Sequence, residues 1–71
     1  VEIVIDKNEK YFAVVHGKTM EIDIDNLGEL LSGVKEVSIT GDKNLKYQVV
    51  MDTITKVKQQ GVENLGINFY E

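Results

Sequence analysis

Cysteine is absent from the 71 residues, proline is absent too, and histidine occurs once. Without cysteine no disulfide can staple the fold, and no thiolate is available as a nucleophile or zinc ligand. That absence fits any compartment, an oxidising one included. His16, the only imidazole, excludes a catalytic pair of histidines and a histidine-rich metal site. Basic side chains are in the minority, 8 against 12 acidic ones, for a formal charge of -4. A phosphate-backbone binder needs a positive face, so nucleic acid is not an expected partner, and anionic lipid would repel the chain. No apolar run approaches the roughly 20 residues that cross a bilayer, the longest being Phe12 to Val15. Low-complexity tracts and internal repeats are also missing, so no linker is expected inside the chain.

A chain of 71 residues is expected to form one domain. Domains of this size bury only roughly 60% of their unfolded surface, so an oligomer or partner would help. The residues that organise it run from Val37 to Ile67. Val37 to Thr40 reads as a strand, Gly41 to Asn44 as a turn, Leu45 to Gln60 as an amphipathic helix, and Leu65 to Tyr70 as a second strand. Two strands joined by a helical crossover are most simply parallel neighbours, right-handed in about 98% of cases. Asn44 is the expected N-cap of the helix, and Tyr47, Val50, Met51, Ile54 and Val57 its inward face. Gly61 is the expected left-handed stop that lets Val62 fold back on Val57.

Upstream, Val1 to Ile5 and Tyr11 to Val15 are strand-like runs separated by five polar residues, a hairpin signal without an Asn-Gly or Asp-Gly pair to set its turn type. Met20, Ile22 and Ile24 alternate with acidic residues, the period of a strand with one wet face, although the same acids suit an extended loop. Asn26 with Glu29 is a capping-box-like start for a helix of about two turns, whose stripe is Leu27, Leu30, Leu31 and Val34 and whose stop is Gly33. The expected class is therefore α+β: a small mixed sheet packed on two helices, in the order β-β-(β)-α-β-α-β, with a βαβ crossover at residues 37–70.

Few side chains carry chemistry. His16 beside Gly17 and Lys18 reads most simply as an exposed turn. Glu21, Asp23, Asp25 and Glu29 lack the calcium-loop spacing with its central glycine, and a solvated acidic edge explains them better. Gly41-Asp42-Lys43 lacks the glycines and the Lys-Ser/Thr ending of a phosphate-cradling loop. No enzymatic, cofactor-binding or metal-binding site is expected. Asp42 lies between strand and helix, the edge where α/β sheets often place ligand contacts; the competing reading is a carboxylate that accepts backbone N–H groups of its own turn. Phe69 and Tyr70 close the chain with large apolar surface, either core or a pairing surface for a second chain.

The ordered residues Val37-Ser38-Ile39-Thr40-Gly41-Asp42-Lys43, Tyr47, Val50-Met51-Asp52, Gln60-Gly61 and Leu65-Gly66-Ile67 resemble the periplasmic domain of the ExbD/TolR family, with the TolR branch favoured. The resemblance covers a little under half the chain. It implies a non-enzymatic component of a proton-motive-force-driven inner-membrane motor, working with a TolQ-like partner on a TolA-like one. It also implies dimerisation and peptidoglycan binding. Since the chain starts at Val1 inside a strand-like run, it is expected to be one periplasmic domain (1–71) of a longer protein, anchored through a transmembrane helix absent here. The membrane Asp of the family lies in that helix and is not Asp42. The interaction residues expected on this basis are Asp42, Tyr47, Leu65, Ile67, Phe69 and Tyr70. The alternative is a small-molecule-sensing regulatory domain of ferredoxin-like or ACT type.

Overall fold

The computed structural model describes residues 1–70. Its first three strands form a meander: β1 (Glu2–Ile5) pairs antiparallel with β2 (Tyr11–Val15), and β2 with β3 (Lys18–Ile22). Two local devices make those reversals. The Asp6 carboxylate accepts hydrogen bonds from the backbone N–H groups of Asn8 (2.8 Å) and Lys10 (2.9 Å), which closes the first loop around a left-handed Glu9. Between β2 and β3, His16 and Gly17 have φ of 52° and 80°, the two positive values that a tight hairpin turn of the right twist requires. His16 is exposed there.

The chain then makes a 3-10 turn (Ile24–Asn26), a short helix α1 (Leu27–Leu30), strand β4 (Glu36–Asp42), helix α2 (Tyr47–Lys58) and strand β5 (Asn64–Tyr70). In the sheet the order is β3-β2-β1-β4-β5. β4 runs parallel to both β1 and β5, so the expected βαβ crossover joins neighbouring parallel strands within a mixed α+β fold. The register aligns Met20, Ala13, Ile3, Ile39 and Ile67 in one row across all five strands. Ile3, Ala13 and Ile39 in that row are buried with Ile5, Val37, Leu27, Leu31 and Val57, so this is the face the helices cover. The hydrogen-bonded pair Glu2 and Thr40 (2.6 Å) lies on the opposite face.

Several local expectations need correction. Ile24 leaves the third strand for the 3-10 turn, and that tighter turn carries the chain into α1. Asn26 makes no side-chain cap; its N–H instead donates to the Asp23 carbonyl (2.9 Å) as part of the 3-10 turn. α1 is a single turn, extended by looser turns to Gly33, whose φ of +78° ends it as expected. Gly41 and Asp42 belong to β4 rather than to a turn, because β5 pairs with them through Phe69 and Tyr70. Asn44 is likewise not the cap of α2: the helix starts at Tyr47 after Lys46, which has no side-chain capping bond. The N–H of Asn44 donates to the Asp42 carboxylate, which places Asn44 in the turn between β4 and α2.

The inward face of α2 is also rotated from its expected position. Val50, Thr53 and Val57 are buried, with Val49 and Ile54 half-buried, whereas Tyr47 and Met51 are exposed. Thr53 fits a fully buried position because its hydroxyl donates to the Val49 carbonyl (2.9 Å) and lies 3.2 Å from the Tyr11 hydroxyl on β2. A buried hydroxyl with partners costs little, and one deprived of them costs about 1 to 3 kcal/mol. Tyr11→Phe is accordingly expected to lower stability by about 1 kcal/mol in urea titration, and an unchanged midpoint would show that this bond contributes nothing.

Gly61 has a φ of +87° and nothing within 4 Å of the position a Cβ would take. Its requirement is therefore purely conformational, the left-handed stop after α2. Gly61→Ala should cost about 1 to 2 kcal/mol from backbone strain alone, read as a drop in urea midpoint with no change in the cross-strand contacts seen by NMR. Val62 beyond it packs on the core.

Candidate interaction surface

β4 and β5 end together, and the turn that follows them is built by Asp42. Its carboxylate accepts from the Asn44 N–H (2.8 Å), its carbonyl accepts from the Leu45 N–H (3.0 Å), and it is only 8% exposed. Asp42 thus acts as a turn-former, the more local of the two roles its position allows. Lys43 donates its N–H to the Tyr70 carbonyl (2.8 Å), tying the end of β5 to the same turn. Gly41 lies close by: a Cβ there would sit 3.0 Å from Leu45 Cδ1 and 3.9 Å from the Phe69 ring, so an added methyl would require the Leu45 side chain to shift. The missing side chain lets Leu45 lie against β4, next to Phe69.

The remaining expected residues gather along one edge. Leu65 is half-buried and packs on the core, while Ile67 is 42% exposed, Phe69 55% and Tyr70 36%. The register places Leu65, Ile67 and Phe69 opposite Val37, Ile39 and Gly41, on the helix-covered face. They lie at its margin. Tyr47 (73% exposed) and Met51 (38% exposed) occupy the flank of α2 turned away from Tyr11, because one hundred degrees per residue puts Val49 and Thr53 on the Tyr11 side and Tyr47, Met51 and Ile54 on the other. Asp42, opposite Tyr70 in the register, stands with Thr40 on the other face of the sheet and is buried, whereas Tyr47, Ile67 and Phe69 are exposed.

Met51 is the residue that sequence reasoning placed wrongly for this site, as part of the core rather than of the exposed flank. Its signal was masked by Thr53, whose polarity disguised the true centre of the buried stripe. A concavity lies on the Tyr11 flank of α2, lined by Glu9, Tyr11, Ile24, Val49, Asp52 and Lys56. It brings together both signs of charge over an apolar floor, and holds none of the expected interaction residues.

The outer side of β5 also presents backbone hydrogen-bonding groups. The Tyr70 carbonyl and the Asn64 N–H both bond toward β4 or the residue before it, so the even-numbered residues turn inward. Alternate residues of a strand direct these groups to opposite sides. The N–H and C=O of Leu65, Ile67 and Phe69 consequently point outward, where no strand among the described residues pairs with them. Such an edge can form hydrogen bonds and bury apolar surface, which is recognition rather than catalysis. Comparison with protein-family models and with curated proteins finds no match for this chain.

Proposed function

We propose that this chain is a non-enzymatic periplasmic domain of a proton-motive-force-driven inner-membrane motor of the ExbD/TolR type, which associates through β5 and passes motor movement to a TolA-like partner and the cell wall. The observation that carries this reading is the β5 edge, seven residues long, uncharged and unpaired among the described residues, with Ile67 and Phe69 exposed beside it. It is supported by where the resemblance falls. The matching residues 37–43, 47, 50–52, 60–61 and 65–67 belong to one contiguous β4-α2-β5 unit. A domain that transmits force needs cohesion and a grip rather than reactive groups.

The order β-β-β-α-β-α-β also differs from the β-α-β-β-α-β plan of ferredoxin-like folds, which weakens the small-molecule-sensor alternative. Two assays test the motor reading. Fractionation of the full-length polypeptide should find it in the inner membrane together with a TolQ-like protein, and this chain should sediment with purified cell-wall sacculi. A full-length polypeptide wholly in the cytosol would contradict the proposal.

A further inference from the structure

We infer that the helix-free face of the sheet docks a basic amphipathic helix of a partner protein. Val4, Phe12 and Val14 alternate along β1 and β2 with the buried Ile3, Ile5 and Ala13, so they stand on the face away from α1 and α2. All three are half-buried, and none belongs to the core. The register sets Val4 against Phe12, with Val14 two residues along the same strand, so the three form one apolar patch. Among the described residues no element lies over it.

Around the patch the charge is of one sign. Glu2 shares the row of Val14, Glu21 shares the row of Phe12, and Glu36 stands on the same face of β4 as Ser38. The Thr40 hydroxyl donates to one oxygen of the Glu2 carboxylate (2.6 Å) and fixes it over this face. Of the eight basic residues, all lysines, only Lys18 lies in a strand, and there it aligns with Val15 on the helix-covered side. Next to Glu36, the absent side chain of Gly66 leaves a hollow lined in part by Ser38 and Asn64, with room for the end of a lysine or arginine.

That arrangement selects the occupant. A second copy laid on the same face would set carboxylates against carboxylates, and anionic lipid or nucleic acid would be repelled. A cationic segment without apolar side chains would leave Val4, Phe12 and Val14 in water. An added strand joins a sheet at its edge, whereas a helix covers a face. β4 and β5, seven residues each at about 3.3 Å per residue, make the face about 23 Å long, the length of a helix of about 15 residues. This docking does not depend on the association through β5, because Ile67 and Phe69 belong to the other face.

The probe is a synthetic helix of about 15 residues with leucine along one side and lysine along the other, titrated into the isotope-labelled chain and followed by NMR. Oligolysine of the same length and a leucine-glutamate helix are the comparisons. The leucine-lysine helix should shift the signals of Val4, Phe12 and Val14 and bind about tenfold or more tightly than oligolysine, with the glutamate helix inert. Glu21→Gln combined with Glu36→Gln, both at exposed positions, should weaken binding about tenfold. Signals that move at Tyr47, Met51, Ile67 and Phe69 instead, equal binding of oligolysine, an affinity unchanged in the double variant, or no binding at about 1 mM would each overturn the inference.

Discussion

Ile39→Ala is expected to leave this chain largely unfolded at 25 °C. Ile39 is 1% exposed in β4, the strand between β1 and β5, with Ile3 of β1 fully buried beside it in the same row. Truncating a buried isoleucine costs about 2 to 5 kcal/mol, the lost transfer energy plus that of the cavity left behind. A domain this small rarely has more than about 3 to 5 kcal/mol in total. The loss is therefore comparable with the whole stability. Urea titration followed by circular dichroism should show no folded baseline or a midpoint close to zero denaturant. Ile67→Ala in the same row is the control, since Ile67 is 42% exposed in the single chain, and under dilute conditions it should cost less than about 1 kcal/mol. Equal effects at the two positions would mean that the covered face is not where the core lies.

Ile67→Lys is expected to separate association from folding. The side chain stands at the margin of the helix-covered face, exposed enough for a lysine to extend into water from a single chain. In an association through β5 the same substitution sets a charge on the pairing edge and removes an apolar side chain from it, so the association should weaken on the order of 100-fold or more. Sedimentation equilibrium measures the association and urea titration the fold. A lysine variant that unfolds would place Ile67 in the core, and one that associates as tightly as the parent would place the interface elsewhere.

The legible parts of the fold are those set by neighbours in the chain. Alternation in β1 and β2, the β4-α2-β5 crossover, and the left-handed stops at Gly33 and Gly61 follow from residues a few positions apart. The parts that were misread depend on competition among polar groups. Asp42 holds the N–H of Asn44 in the turn after β4, and the helix begins three residues later, past the residue whose side chain suits a cap. Thr53 occupies a core position because the Val49 carbonyl and the Tyr11 hydroxyl, the latter 42 residues away, satisfy it. Hydropathy registers neither partner, and so it rotated the helix face and hid Met51. Strand order was the least accessible feature: placing β1 between β2 and β4 requires a parallel pairing between segments more than thirty residues apart. The exposed apolar surface of β5 was legible where it rests on side-chain type, as at Phe69 and Tyr70. Its outward-facing hydrogen-bonding groups depend on which side of β5 meets β4, a property of the assembled sheet.

Amide hydrogen exchange along β5 as a function of concentration tests most directly whether this edge is the working surface. In dilute chain the N–H groups of Asn68 and Tyr70, turned toward β4, should be protected, while those of Leu65, Ile67 and Phe69 exchange freely. Raising the concentration should slow exchange at the three odd positions and leave the even ones nearly unchanged. If Ile67 and Phe69 exchange at the same rate across the whole range, β5 does not bind a second copy, and the account is contradicted at its centre.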